Sequence, residues 1–231
     1  MTIDTTRIQA ICFDVDGTLS DTDDLYIEKL NRILQPFRFL FPAGDTGRLA
    51  RRIIMEAEAP GNFLIGLTDR FGLDDEIVAL MDRLARRNHA RTRETKIIPG
   101  VREMLRELAE HYPLAVVSAR DERTTRFFLD SYELTLFFQC IATSQTCEHT
   151  KPYPDPILWA AHQMKIPVQA CLMVGDTTVD IRAGKKAGTQ TAGVLCGFGE
   201  RRELERGNAD IILSTTADLL ELLIPGKVNP A

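Results

Sequence analysis

The sequence has no excess of basic charge: 28 Lys and Arg stand against 33 Asp and Glu, a formal charge of -5. That balance offers no positive stripe for a nucleic-acid backbone or an anionic membrane surface, so neither is an expected partner. Long apolar runs are missing as well. The N-terminus has no charged stretch leading into an apolar segment and a small-residue cleavage site, and the longest apolar stretches fall well short of the ~20 residues of a membrane span. A soluble, cytoplasmic protein is expected. No C-x-x-C occurs, and the five cysteines, Cys12, Cys140, Cys147, Cys171 and Cys196, are odd in number and lie mostly inside apolar runs. They read as reduced core thiols. Cys147 and His149 have no second pair at ligand spacing, which argues against a structural zinc site. Internal repeats and low-complexity tracts are also lacking.

What is present is enough apolar material, 44% of 231 residues, for one full domain and an accessory one. Short apolar runs recur at residues 8–13, 113–118, 138–142, 170–174, 189–194 and 209–213. Each has the length of a strand. Between them lie helical periods, Val101, Met104, Leu105 and Leu108 in one segment and Ile157, Leu158, Ala161 and Met164 in another. Strands alternating with amphipathic helices predict an α/β fold, a Rossmann-like, doubly wound and mainly parallel sheet covered on both faces. Residues 21–95 break the rhythm, with no strand-like run and with Pro42, Gly44, Pro60, Gly61 and Gly72 as punctuation. They are expected to form a helical cap inserted after the first strand, with residues 1–20 and 96–231 forming the core. Two chain crossings at one hinge allow the cap to move. The tail after Leu223 is expected to fray.

The first run ends in Phe13-Asp14-Val15-Asp16-Gly17-Thr18. In an open parallel sheet, ligands bind at the carboxyl ends of strands. Asp14 and Asp16 are two apart, so an extended backbone turns both carboxylates to one side. Like charges held together are costly, and a hard cation such as Mg²⁺ resolves the cost while taking only one or two carboxylates. Gly17 permits a tight turn. A calcium loop counted from Asp14 fails, because Thr18, Leu19 and Leu25 fall where an acid or amide, a glycine and a glutamate are needed. Three more places supply context. Ser118 follows a predicted strand, where its hydroxyl and the Ala119 amide suit a phosphoryl oxygen or, equally, a helix cap. Lys151, in Thr150-Lys151-Pro152, sits between a predicted strand and a helix. Asp176 and Asp180, in Gly175-Asp176-Thr177-Thr178-Val179-Asp180, follow another strand, and the four-residue spacing puts both acids on one helix face. By itself Asp180 reads as a first-turn acid that favours the helix dipole.

Together these segments resemble the haloacid dehalogenase superfamily over nearly the whole chain. Asp14–Leu19 (DVDGTL) matches its first motif, Ser118 the second, Lys151-Pro152 the third and Gly175–Asp180 (GDTTVD) the fourth. Gly197-Phe198-Gly199, the Glu-rich helix after it and Ala209-Asp210 look like the phosphoglycolate phosphatase-like branch. The resemblance implies a Rossmann-like core with an inserted helical cap. It also implies Asp14 as the nucleophile that becomes an aspartyl-phosphate and Asp16 as general acid and then general base. Ser118, the Ala119 amide and Lys151 are implied to hold the phosphoryl group. Mg²⁺ is implied to bind Asp14, the backbone carbonyl of Asp16 and Asp176, with Asp180 ligating or positioning. A proton donor such as Asp16 suits phosphoester cleavage, since expelling halide needs none.

The expected activity is therefore hydrolysis of a small phosphorylated metabolite by a monomer or homodimer. A phosphomutase of the beta-phosphoglucomutase kind and a phosphorylatable receiver-type module are the alternatives. Arg48, Arg51, Arg52, Asn62 and Arg70 are the cap side chains able to meet an anionic substrate, although solvated helix faces account for them better. Two departures from common family wording stand out. Ser20 replaces an apolar residue, and Ser118-Ala119-Arg120 replaces Thr-Asn-Lys, which puts Arg120 at the pocket rim.

Overall fold

The computed structural model describes residues 3–21 and 96–226; apart from Asp21 the expected cap, with Arg48, Arg51, Arg52, Asn62 and Arg70, lies outside them. All six predicted strand runs form strands: β1 (Ala10–Phe13), β4 (Leu114–Val117), β5 (Cys140–Ala142), β6 (Cys171–Gly175), β7 (Gln190–Val194) and β8 (Ile211–Leu213). They make one sheet in the order β5-β4-β1-β6-β7-β8, with every neighbouring pair parallel. The chain winds outward from β1 to β5, then returns to the other side of β1 for β6. That reversal puts the switch point, and with it the expected ligand crevice, at the carboxyl end of β1. Two further strands of two residues each, β2 (Ser20–Asp21) and β3 (Lys96–Ile97), pair antiparallel, so residues 21 and 96 lie side by side.

The sheet separates two cores by the alternation of strand side chains. Ile11 and Phe13 of β1, Leu114 and Val116 of β4 and Leu172 and Val174 of β6 face helices α1 (Val101–Ala109), α2 (Glu122–Ser131) and α6 (Leu219–Leu223). Ala10 and Cys12, Ala115 and Val117, and Cys171 and Met173 face α3 (Asp155–Met164) and α4 (Thr178–Ala187) on the opposite side. Small residues dominate that second face, which lets its helices lie close to the sheet. Cys12 and Cys171 serve there as compact apolar side chains, and all five cysteines are free thiols. Helix α5 (Arg201–Arg206) closes the β8 edge through Leu204, which packs with Ile181 and Ala209.

The expected helical periods are met by α1, whose buried face is Val101, Met104, Leu105 and Leu108. In α3 the buried face is Pro156, Ile157, Ala160, Ala161 and Met164, and Leu158 is exposed. Leu158 follows Ile157 by only one position, a rotation of about 100° that carries it off the packed stripe. Among the described residues no helix is long and apolar enough to cross a membrane.

Candidate active site

The loop after β1 is wound around a single carbonyl. Val15 O accepts the backbone N–H groups of Thr18, Leu19 and Ser20 at 3.3, 2.9 and 2.9 Å and the Ser20 hydroxyl at 3.1 Å. Gly17 adopts φ +70°, a conformation that suits glycine. A Cβ there would meet Asp176 Oδ2 at 2.2 Å, so the absent side chain also lets this loop touch the one after β6. Asp14 is held to β6 directly, its N–H donating to Val174 O at 3.0 Å.

Asp176 and Asp180 come from the β6–α4 junction. Asp176 is fully buried, and its Oδ2 accepts the Phe198 N–H at 2.7 Å. Asp180 stands in the first turn of α4, where its Oδ2 accepts from the Thr177 N–H and hydroxyl at 3.1 and 2.8 Å. The cap is reciprocal, since Thr177 caps the helix in return. The other oxygen of Asp180 takes Lys151 Nζ at 2.6 Å, and Lys151 lies equally 2.6 Å from Asp14 Oδ1. Lys151 is thus a buried bridge between two acids from different strand ends. Burial disfavours its charge, but Asp14 and Asp180 outweigh that and hold the ammonium above its ordinary value.

Asp14, Asp176 and Asp180 are the one set of three metal-ligating side chains brought together among the described residues, with a carboxylate oxygen of each within 4.8 Å of the others. Asp14 feels this crowding. Burial first, then Asp180 and Asp16, push its carboxyl up to about 7 against the opposing pull of Lys151. Among the described residues these three buried acids face one ammonium, and a hard divalent cation would neutralise the remaining negative charge; oxygen donors of this kind suit Mg²⁺. The donor set therefore fits that ion. Both oxygens of Asp180 are engaged by Lys151 and Thr177, which favours a positioning role for it over direct ligation. The pair Cys147 and His149 forms no such cluster; His149 lies 3.4 Å from Asp155 and stacks on Tyr153 at 4.7 Å.

Ser118 follows β4 and is almost wholly buried, with its N–H on Ala142 O at 2.9 Å; Ala119 beside it is exposed. Ser118 is not a helix cap, since α2 is capped by Asp121, which accepts the Thr124 N–H at 2.9 Å. Ser118 Oγ accepts the Arg120 N–H at 3.1 Å. The Arg120 side chain then reaches across to Asp16, gripping it through Nε at 2.6 Å and through a second, shorter contact from NH2. Arg120 also donates to Ser20 Oγ at 3.2 Å and lies 5.7 Å above the ring of Phe128. Asp14 and Asp16, expected to share a side, have separate cationic partners, Lys151 and Arg120.

Two contributors escape a reading of the residues alone. Gly197 and Phe198 fix Asp176, one by lacking a Cβ that would lie 2.3 Å from Oδ2 and the other by donating its N–H. Their signal is a Gly-Phe-Gly turn just after a strand, and backbone roles of this kind leave little trace in side-chain chemistry.

The family described as haloacid dehalogenase-like hydrolase matches residues 11–194. Among curated relatives, a protein named pyrophosphatase PpaX from Anoxybacillus flavithermus is 33% identical over 223 residues, covering 94% of this chain and 97% of its own. Among solved structures, a hydrolase from Pseudomonas syringae shares the fold at TM-score 0.75 and 24% identity, over 95% of this chain and 100% of its own. A predicted phosphoglycolate phosphatase from Haemophilus somnus does so at TM-score 0.67 and 22% identity, over 95% and 99%. A family match spanning most of the chain and a relative aligned nearly end to end establish that this protein belongs to the haloacid dehalogenase-like hydrolases.

Proposed function

We propose that the chain is a magnesium-dependent phosphatase for a small phosphorylated substrate, working through an aspartyl-phosphate on Asp14. The observation that carries this reading is the buried Asp14–Lys151–Asp180 bridge beside Asp176, at the sheet's switch point. A carboxylate and a phosphate ester are both anions, so attack needs positive charge fixed where they meet. Lys151 supplies part of it. Mg²⁺, held by Asp14, the backbone carbonyl of Asp16 and Asp176, would supply further neutralisation of the phosphoryl oxygens.

Asp14 attacks phosphorus while Lys151, the Ser118 hydroxyl and the Ala119 N–H hold the phosphoryl oxygens. Asp16 gives a proton to a leaving alkoxide oxygen, then takes one from the water that cleaves the acyl phosphate. Splitting the reaction at a covalent intermediate replaces one hard step by two easier ones. The curated relative's name makes inorganic pyrophosphate the first compound to assay, with phosphoglycolate second. Measured release of inorganic phosphate, rather than an isomerised sugar phosphate, separates hydrolysis from mutase chemistry. Asp14→Asn should lower kcat by about 10³-fold or more with the fold retained by circular dichroism. Turnover near the wild-type rate in that variant would remove Asp14 from the mechanism.

A further inference from the structure

Arg120 stands where two parts of the site meet. Its backbone N–H is bound to Ser118 Oγ on the phosphoryl-holding loop, while its guanidinium grips both oxygens of Asp16. The side chain is 13% exposed and that of Asp16 26%, so the pair lies at the mouth of the site rather than in its floor. Phe128, itself buried, backs the guanidinium at 5.7 Å, and Ser20 Oγ takes a further N–H at 3.2 Å. A planar fork held on three sides is built for one kind of partner, an anion that offers two oxygens. In this structure Asp16 is that anion.

While both Asp16 oxygens are spent on Arg120, the side chain is poorly placed to serve a substrate. An incoming anion with two oxygens can take the fork in its place, and the exchange costs little because one charge-assisted pair replaces another. We propose that Arg120 binds the leaving part of the substrate, and that this chain is therefore built for phosphorylated compounds whose leaving group is itself an anion, inorganic pyrophosphate foremost. The inference rests on the phosphatase reading above and narrows it to a substrate class.

The chemistry balances for that class. An Asp14 oxygen forms a bond to one phosphorus as the bridging P–O bond breaks, and the bonding electron pair passes to the departing phosphate. The negative charge that develops there falls on the guanidinium, and the leaving phosphate departs without needing a donated proton. Asp16, released from Arg120, is then free to take a proton from the water that attacks the acyl phosphate. That second step breaks the P–O bond to Asp14, returns its carboxylate and releases a second phosphate. For an uncharged leaving group such as an alcohol, the fork has nothing to bind and stays on Asp16.

The test compares wild type, Arg120→Lys and Arg120→Gln in magnesium buffer on inorganic pyrophosphate and on glycerol 2-phosphate, a monoester whose leaving group is an uncharged alcohol. Removing Arg120 frees Asp16 in both reactions alike, so the readout is the ratio of the two kcat/KM values. Arg120→Gln should lower the pyrophosphate-to-monoester ratio by about 10- to 100-fold, with Arg120→Lys intermediate because a point charge replaces a fork. Calorimetry with the non-hydrolysable methylenediphosphonate should show Arg120→Gln weakening it more than inorganic phosphate. Equal losses on both substrates, or unchanged diphosphonate affinity, overturn the assignment of Arg120 and leave the phosphatase reading standing. No phosphate release by the wild type from any phosphorylated compound overturns that reading and this inference with it.

Discussion

Asp176 is placed by atoms that are missing as much as by those present. Gly17 and Gly197 approach its Oδ2 from two loops, and a methyl group on Gly197 would lie 2.3 Å from that oxygen and 2.4 Å from Gly17 O. The second contact is with backbone, which cannot rotate away. Gly197→Ala should therefore displace Asp176 or part the two loops, at a cost of about 1–3 kcal/mol, and kcat should fall more than the melting temperature suggests. Steady-state kinetics beside thermal melts check this. An alanine variant with unaltered kcat would mean that the loops have slack the geometry denies them. The acids and the lysine of the site were readable because their charges have few reasons to gather at strand ends. Gly197 and Phe198 were readable only as a family likeness, since they act through an absent Cβ and a backbone N–H.

Elements were legible where an apolar run was long enough to register. Central strands β1, β4 and β6 are wholly buried, and their continuous apolar runs announced them. The pair β2 and β3 has two residues per strand, too few for any periodicity to register. Strand β7 is a harder case, buried throughout although it begins Gln190-Thr191. Its polar groups are satisfied by partners distant in sequence. Gln190 exchanges hydrogen bonds with the backbone of Asp4 at 2.7 and 2.8 Å, and Asp210 accepts the Thr191 N–H at 2.8 Å and its hydroxyl at 3.0 Å. Asp210 also takes Lys185 of α4 at 2.6 Å, tying helix, strand and the approach to β8 into one knot. Burial pushes the Asp210 carboxyl up, but Lys185 and Thr191 outweigh it and hold it below its ordinary value of 3.8. A lowered native value means that the stabilisation is fully present above the unfolded-state value and is lost as pH falls through the native one. Asp210→Asn should cost about 1–2 kcal/mol at neutral pH. Urea melts of the two proteins should converge in acid, below the ordinary carboxylate value. A gap that persists undiminished at pH 2 would assign the loss to packing rather than to charge.

At the scale of the molecule, a sheet that turns back on β1 gathers the carboxyl ends of its strands at one edge, and Asp14, Asp16, Asp176 and Asp180 arrive there together, with Lys151 and Arg120 opposite them among the described residues. Folding without a cation therefore confines like charges; burial first, with Asp180 and Asp16 adding to it, raises Asp14 to about 7. Magnesium binds the folded arrangement and has no comparable site in the unfolded chain, so it should shift the folding equilibrium by mass action. At one hundred times its Kd the shift is about 2.7 kcal/mol, which for a chain of this length raises the melting temperature by roughly 5–10 °C. Asp176→Asn should remove most of that rise while leaving the metal-free protein no less stable, because it deletes one of the repelling charges. Thermal melts of both proteins in excess EDTA and in millimolar magnesium separate the outcomes without any appeal to turnover. Coincident wild-type curves under the two conditions would mean that the acid cluster is neutralised by its own lysine and arginine, and that the metal has no place in it.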